Sequence, residues 1–356
     1  MISNNLIKLF IVCSTILSAQ SMKNRFLVPI YVYPSLSFGY DSNFLKLSDG
    51  EIDQTISGAD ILGNASTFDS DIIKTKMKLF YSPVLSNFYE TELYFSFSYS
   101  LYGQLKEKSY VRYSLLYAQH LGPYSWLKIG YANLPEYFIR NYIDRDLTDI
   151  SRYPCSFSSE ELFISYSFSI GEVSWLRFKV KGLNEFYNSH FTEFDQKKLT
   201  GQIVFHSEIS KKMQYSVSLS HGGSKNPTYN SGETSTLVDR SYLMDKIILG
   251  LTRKSNGNPL IQKYGMSLSV EQRFYDLESE VDYFDDWKFY FDSNVLIWSE
   301  IQIHDDIGLK VSYQYRNRKA DSNPFGEFSW AEEGKDFSKH VLWFDFSYDL
   351  VMDLFY

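Results

Sequence analysis

The residues best placed to do chemistry are two runs of like charge at a spacing of two: Lys74, Lys76 and Lys78, and Arg177, Lys179 and Lys181. On a strand this spacing puts all three members on one face, about 6–7 Å apart, so each run makes a local positive field. Rings of such groups favour anions and phosphates where they line a pore. The alternative is that these cations pair with acidic residues of the same face or of in-folded loops and serve stability alone. Covalent and metal chemistry find little support. The histidines (His120, His190, His206, His221, His304 and His340) form no HExxH motif and no metal pair, and there is no GxSxG, P-loop or GxGxxG. His190 beside Ser189 is the one hint of nucleophilic chemistry. Cys13 lies in a segment expected to be removed, which leaves Cys155 alone, with no disulfide and no cysteine zinc site. No enzymatic activity, metal or cofactor is expected.

The composition narrows what can position these ladders. The chain has 356 residues and a formal charge of −8, which argues against a basic nucleic-acid binder. No apolar run reaches the roughly 18 residues of a spanning helix. Yet aromatic residues make up 18% of a chain whose mean hydropathy is only −0.27. Tyr and Phe favour strands, and an aromatic, net hydrophilic chain suits a transmembrane β-barrel, whose strands alternate an apolar outer face with a polar inner one. Residues 1–21 read as a secretory signal peptide: Lys8, an apolar core from Leu9 to Leu17, then small residues, with cleavage after Ala19 or Ser21. The barrel domain is then 22–356.

From about residue 26 onward the hydrophobic period is two. The final segment places Phe344, Phe346, Tyr348, Leu350, Met352, Leu354 and Tyr356 on one face and Asp345, Ser347, Asp349 and Asp353 on the other. The same test finds thirteen earlier segments, giving about 14 antiparallel strands (range roughly 12–16) in a single all-β barrel. With both ends of the barrel in the periplasm, the outer connections are long and the inner ones short. The first long connection spans about Ser42–Ser70 and the third about Ile139–Phe157.

The closing residues Tyr348, Leu350, Met352, Leu354 and Tyr356, stepping by twos to an aromatic end, resemble the C-terminal assembly signal of bacterial outer-membrane β-barrels. The segment SLSFGYDSN is similar to the opening strand of porin-like barrels. The resemblance implies export through the periplasm, insertion by the barrel assembly machinery, and residence among outer-membrane lipids.

Charge divides between the two strand faces. The apolar face carries none at mid-strand; Asp245 is an exception near an outer end. The other face carries Lys74, Lys76, Lys78, Arg112, Lys128, Arg177, Lys179, Lys181 and Lys310 among about fifteen basic residues, against about seven acidic ones. Short inward side chains such as Ser96, Ser98, Ser165 and Ser218 leave room, so a barrel of this size encloses water unless a loop folds in. The third outer loop, with Arg140, Asp144, Arg145 and Asp146, is the candidate constriction; the alternative is a solvated loop laced with surface ion pairs. The expected function is passive or weakly selective diffusion of small hydrophilic solutes, with a lumen biased toward anions. The alternative is a non-conducting barrel acting as a surface scaffold, adhesin or receptor, or secretion-system subunit.

Overall fold

The computed structural model describes residues 26–56, 61–85, 89–122, 125–144, 146–147, 152–237, 239–255, 260–275, 289–321 and 336–352. The expected signal peptide, Arg145, Leu354 and Tyr356 lie outside these residues. Fourteen strands follow one another in a simple meander: β1 (Ile30–Asp41), β2 (Ser70–Tyr81), β3 (Thr91–Tyr102), β4 (Tyr110–Gly122), β5 (Ser125–Ile143), β6 (Arg152–Ser169), β7 (Ser174–Tyr187), β8 (Gln196–Ser210), β9 (Met213–Lys225), β10 (Tyr242–Lys254), β11 (Ile261–Tyr275), β12 (Phe289–His304), β13 (Ile307–Asp321) and β14 (Phe337–Tyr348). Past Asp349 the last strand resumes as the short β15 (Leu350–Met352). Each strand pairs antiparallel with the next, and β14 and β15 pair with β1, Phe346 opposite Leu36 and Met352 opposite Ile30. The sheet is therefore closed, and no strand edge is left to bond outside it.

The alternation seen in the sequence is the alternation of the wall. Phe38, Leu162, Val180, Leu199, Leu219, Leu249 and Met266 all point outward and are exposed. Ser37, Ser98, Ser165, Ser218 and Ser269 are buried on the inner side. An outer surface of this kind is stable only against hydrocarbon. Trp126, Trp175, Trp298 and Trp343 have inward parity, so among the described residues tryptophan does not form an outer girdle.

The connections at one end are short, as between β8 and β9, while L1 (42–69) and L5 (226–241) at the other end are long. The third long-end connection differs from expectation. Instead of a loop over 139–157, β5 continues to Ile143 and β6 begins at Arg152. The register between these strands slips at Leu134/Tyr137 and again at Phe138/Arg140. Each slip is a bulge that puts extra residues on one strand. Two in succession erase the period of two while the hairpin continues, so a paired segment reads as loop. Cys155, expected in that loop, is a fully buried strand residue with a free thiol.

Glycine opposite an inward aromatic ring recurs in the wall. Gly39 faces Trp343, Gly130 faces Phe163 and Gly265 faces Trp298, each a direct register pair. A Cβ on Gly39 would come within 2.5 Å of the Trp343 ring, and one on Gly130 within 2.2 Å of Phe163. Each glycine lets a ring lie flat on the wall instead of projecting into the lumen. Gly39→Val should therefore destabilise the barrel by about 1–3 kcal/mol through overpacking. Gly182→Val, where an added Cβ meets nothing within 4 Å, should change stability by less than about 0.5 kcal/mol. Urea midpoints of the refolded protein in micelles, followed by heat-dependent gel mobility, check both.

Candidate functional site: the lumen wall and the loop folded against it

The wall cations fall into two groups. Lys78, Lys128, Arg177 and Lys310 each sit three residues in from the short-turn end of β2, β5, β7 and β13. Deeper in, Lys76 and Arg112 flank Ser98 in one register row, and Lys74 flanks Ser100 in the next. Lys179 and Lys181 continue the ladder on β7. Among the described residues, none of these nine has a carboxylate within 4.0 Å. Lys76 and Arg112 are exposed although both face inward, so water reaches the wall at their level. Asp345 is a counter-charge on the same face, flanked across the ladder by Lys310 and, through Ser37, by Lys74, while Glu92 and Glu161 bear on Lys78 and Lys179. Glu300, also beside Lys310, is held by Lys263 at 2.9 Å.

Aromatic rings take the place of carboxylates beside several of these cations. The ammonium of Lys179 lies 3.9 Å from the Phe163 centroid, that of Lys78 4.5 Å from Tyr94, and that of Lys310 4.9 Å from Trp298. Lys128 and Arg177 lie over Trp126 and Trp175 at 5.5 and 5.6 Å. A ring face attracts a cation by its quadrupole yet carries no net charge. The cation is seated without being neutralised, and the wall keeps its positive field. At two positions the seat is complete: glycine, ring laid flat, cation on top, as in Gly130–Phe163–Lys179 and Gly265–Trp298–Lys310.

Toward the long-loop end the wall is paired. Asp292 takes Arg316 at 2.6 Å and Arg318 at 2.9 Å, Glu271 takes Arg273 at 2.7 Å and Lys246 at 3.0 Å, and Asp41 takes Lys339 at 2.6 Å. This half also receives L1, which folds onto the inner wall. Phe44, Leu45, Leu47 and Ile61 are almost fully buried and pack with Ile72, Tyr102 and Leu105, backed by Phe138 and Trp343. The sequence has a local reason for the turn into this core. Ser48 caps the helix α1 (Asp49–Ile56): its hydroxyl accepts from the Glu51 amide, and the Glu51 carboxylate accepts from the Ser48 amide at 2.9 Å. This is a reciprocal capping box.

Of the expected constriction residues, Arg140 is only 3% exposed and donates to Glu51 at 2.7 Å, tying α1 to β5. Asp144 is buried and bonds His190 at 2.8 Å, while Asp146 accepts from the Ser235 amide at 2.8 Å. These residues join the loops after β5, β7 and β9 to one another. Sequence reasoning missed the inward fold of L1. Its signal was present in the S-x-x-E of Ser48 and Glu51 beside the apolar Phe44, Leu45 and Leu47.

No family model matches the chain, and no curated protein matches it. Solved structures similar to it include the outer-membrane channel DcaP of Acinetobacter baumannii, with TM-score 0.46 and 11% identity over 90% of this chain and 97% of that one. They also include a loop-deletion mutant of OmpT, an outer membrane protein of Vibrio cholerae, with TM-score 0.46 and 8% identity over 90% and 99%. An anion-selective porin from Comamonas acidovorans is similar with TM-score 0.40 and 7% identity over 90% and 98%. The architecture is a closed antiparallel β-barrel of fourteen successive strands.

Two outcomes follow from the loop contacts. Arg140→Met leaves the Glu51 carboxylate only the Ser48 amide and removes the tie of α1 to the wall, a loss of about 3–5 kcal/mol for a buried pair. Protease cleavage within L1 should become rapid while the barrel stays intact on gels. Glu193, in the loop between β7 and β8, is buried, and desolvation pushes its carboxyl up to about 7. A raised carboxyl stabilises the folded loop fully below the unfolded value of 4.5, and that contribution is lost as pH rises through about 7. Hydrogen exchange of this loop, corrected for intrinsic rates, should show greater protection at acid pH than above neutrality. Glu193→Gln should remove the difference.

Proposed function

We propose that the protein is an outer-membrane channel for passive, weakly selective diffusion of small hydrophilic solutes, with a lumen that prefers anions. The observation that carries this reading is the set of nine inward cations without a carboxylate in ion-pair range, two of them exposed to water inside the wall. Basic residues concentrated along a narrow aqueous path focus the field and raise the local anion concentration. Selection by size falls to L1, which narrows the long-loop half; the loop after β5 holds its neighbours instead of lining the path. The chain's own residues do no bond chemistry in this reading. Lys74, Lys76, Lys78, Arg112, Lys128, Arg177, Lys179, Lys181 and Lys310 attract and pass the solute, and their aromatic seats keep them extended along the wall. The barrel reaches the outer membrane through the periplasm and the barrel assembly machinery.

A second reading, a non-conducting barrel whose loops serve as a scaffold or receptor, is favoured by one observation. L1 builds an apolar core inside the wall, with Leu47 and Phe44 at 0% and 1% exposure, as a plug would. Planar bilayers separate the two. The channel reading expects ohmic conductance and, under a salt gradient, a reversal potential of anion-preferring sign. Bilayers that stay silent with folded protein would favour the plug, and a cation-preferring sign would refute the role given to the wall. Replacing Arg177, Lys179 and Lys181 together by Glu should lower the anion-to-cation permeability ratio roughly tenfold. An unchanged ratio would remove β7 from the path.

A further inference from the structure

On the inner wall of β5, β6 and β7, three cations stand around two serines of the middle strand. Register places Ser165 between Lys128 and Lys179, and Ser167 between Trp126 and Arg177. Neighbouring strands lie about 4.8 Å apart, so the Lys128 and Lys179 backbones are about 10 Å from each other across the serine. Arg177 is the diagonal neighbour of Ser165, about 7–8 Å away. Ser165 is buried and Ser167 half-buried, so these short side chains form a floor beneath the longer ones. Lys128 and Arg177 sit three residues in from the short-turn end, which puts the patch near that mouth.

Ring contacts fix where the three charges lie. The Phe163 ring is laid against β5, where an added Cβ on Gly130 would meet it at 2.2 Å. The Lys179 ammonium sits 3.9 Å from that ring's centroid, so it reaches from β7 over β6 toward the strand that carries Lys128. The Lys128 ammonium leans toward the mouth, 5.5 Å from the Trp126 centroid, beside the row that holds Ser167 and Arg177. The Arg177 guanidinium rests 5.6 Å from the centroid of Trp175, a ring that His206 stacks upon at 3.7 Å. Among the described residues none of the three cations has a hydrogen-bond acceptor or an ion-pair partner, and Arg177 Nε is buried and unmet. The Ser165 and Ser167 hydroxyls have no protein partner among these residues either. Glu161, the next inward residue after Phe163 on β6, bears on Lys179 but lies beyond ion-pair range. Three positive charges against one negative leave two to be answered, and like charges held this close repel until an anion joins them.

We infer that this patch binds a doubly charged tetrahedral oxyanion, inorganic phosphate or the phosphate group of a small solute, with Lys128, Lys179 and Arg177 around it and the hydroxyls of Ser165 and Ser167 beneath. The guanidinium fork offers paired donors to two oxygens of such a group, and each serine hydroxyl donates to one more. A ring face holds a cation without an acceptor atom, so the ammonium hydrogens remain available to turn to the anion. The two unanswered charges match a dianion, whereas a monovalent anion leaves one of them standing. The site deepens the channel reading by naming a solute class, and it rests on that reading only in needing a lumen open to solute, not in needing net conduction.

Titration calorimetry on the full folded barrel in micelles, with inorganic phosphate against a constant chloride background, tests the site. Saturable one-to-one binding is expected, with nitrate at least about tenfold weaker; nitrate binding as tightly as phosphate would overturn the dianion class. Lys128→Gln and Lys179→Gln should each weaken phosphate roughly tenfold, while Lys179→Arg should keep it within about threefold. Lys106→Gln, exposed between β3 and β4 at the long-loop end, should leave it unchanged. Heat-dependent gel mobility confirms that each variant is folded. A loss of the same size in Lys76→Gln would mean a diffuse field of the wall and overturn the localised site. No saturable heat with folded wild type, or equal affinity in both glutamine variants of the site, would also overturn it. Conducting bilayers with no phosphate binding would reject the site and leave the channel standing; binding with silent bilayers would do the reverse.

Discussion

Everything in this molecule depends on closure of the sheet. A backbone amide or carbonyl facing hydrocarbon has no water to bond, and each unmet group costs several kcal/mol. The pairing of β1 with β14 and β15 removes the last open edge. Once the ladder is complete, side chains have only two directions, and the period of two sorts them into oil and lumen. The segregation of charge onto the inner face is thus a consequence of closure, as is the exposure of so many leucines and phenylalanines outside.

The inner wall then faces a second problem, which is how to hold cations without losing their charge. Pairing each with a carboxylate would seat them, as Asp292 seats Arg316 and Arg318, but it cancels the field. Over much of the short-turn half the chain uses aromatic rings instead, two of them flattened against the wall by glycine on the neighbouring strand. A large ring that projected would narrow the lumen. A ring laid over glycine supports a lysine without itself projecting inward. The same three residues on adjacent strands hold the ring flat and the cation charged.

The long-loop half is built differently. There L1 brings an apolar core inside the wall, and the buried Arg140–Glu51 pair fixes α1 to β5. Two charges taken this far from water need excellent mutual geometry, and removing either leaves the other unmatched. The inner wall therefore joins a half whose cations rest on rings to a half whose cations are mostly paired.

The alternation of Tyr, Phe, Leu and Val with Ser and Lys is enough to bring the strand number to about fourteen and to assign inward and outward faces, because each depends only on neighbours within one strand. Ser48 and Glu51 carry a helix-start signal within four consecutive residues that the strand pattern did not bring out. What lies beyond the sequence is anything decided by which strand stands beside which. The bulges that carry β5 through Arg140 erase the periodicity that would reveal them. That Phe163 lies over Gly130 and under Lys179 follows from register across three strands. The choice of L1 as the loop that folds inward rests on apolar partners drawn from β2, β3, β5 and β14. Local patterning governs which way a side chain points; only the closed barrel decides what it meets there.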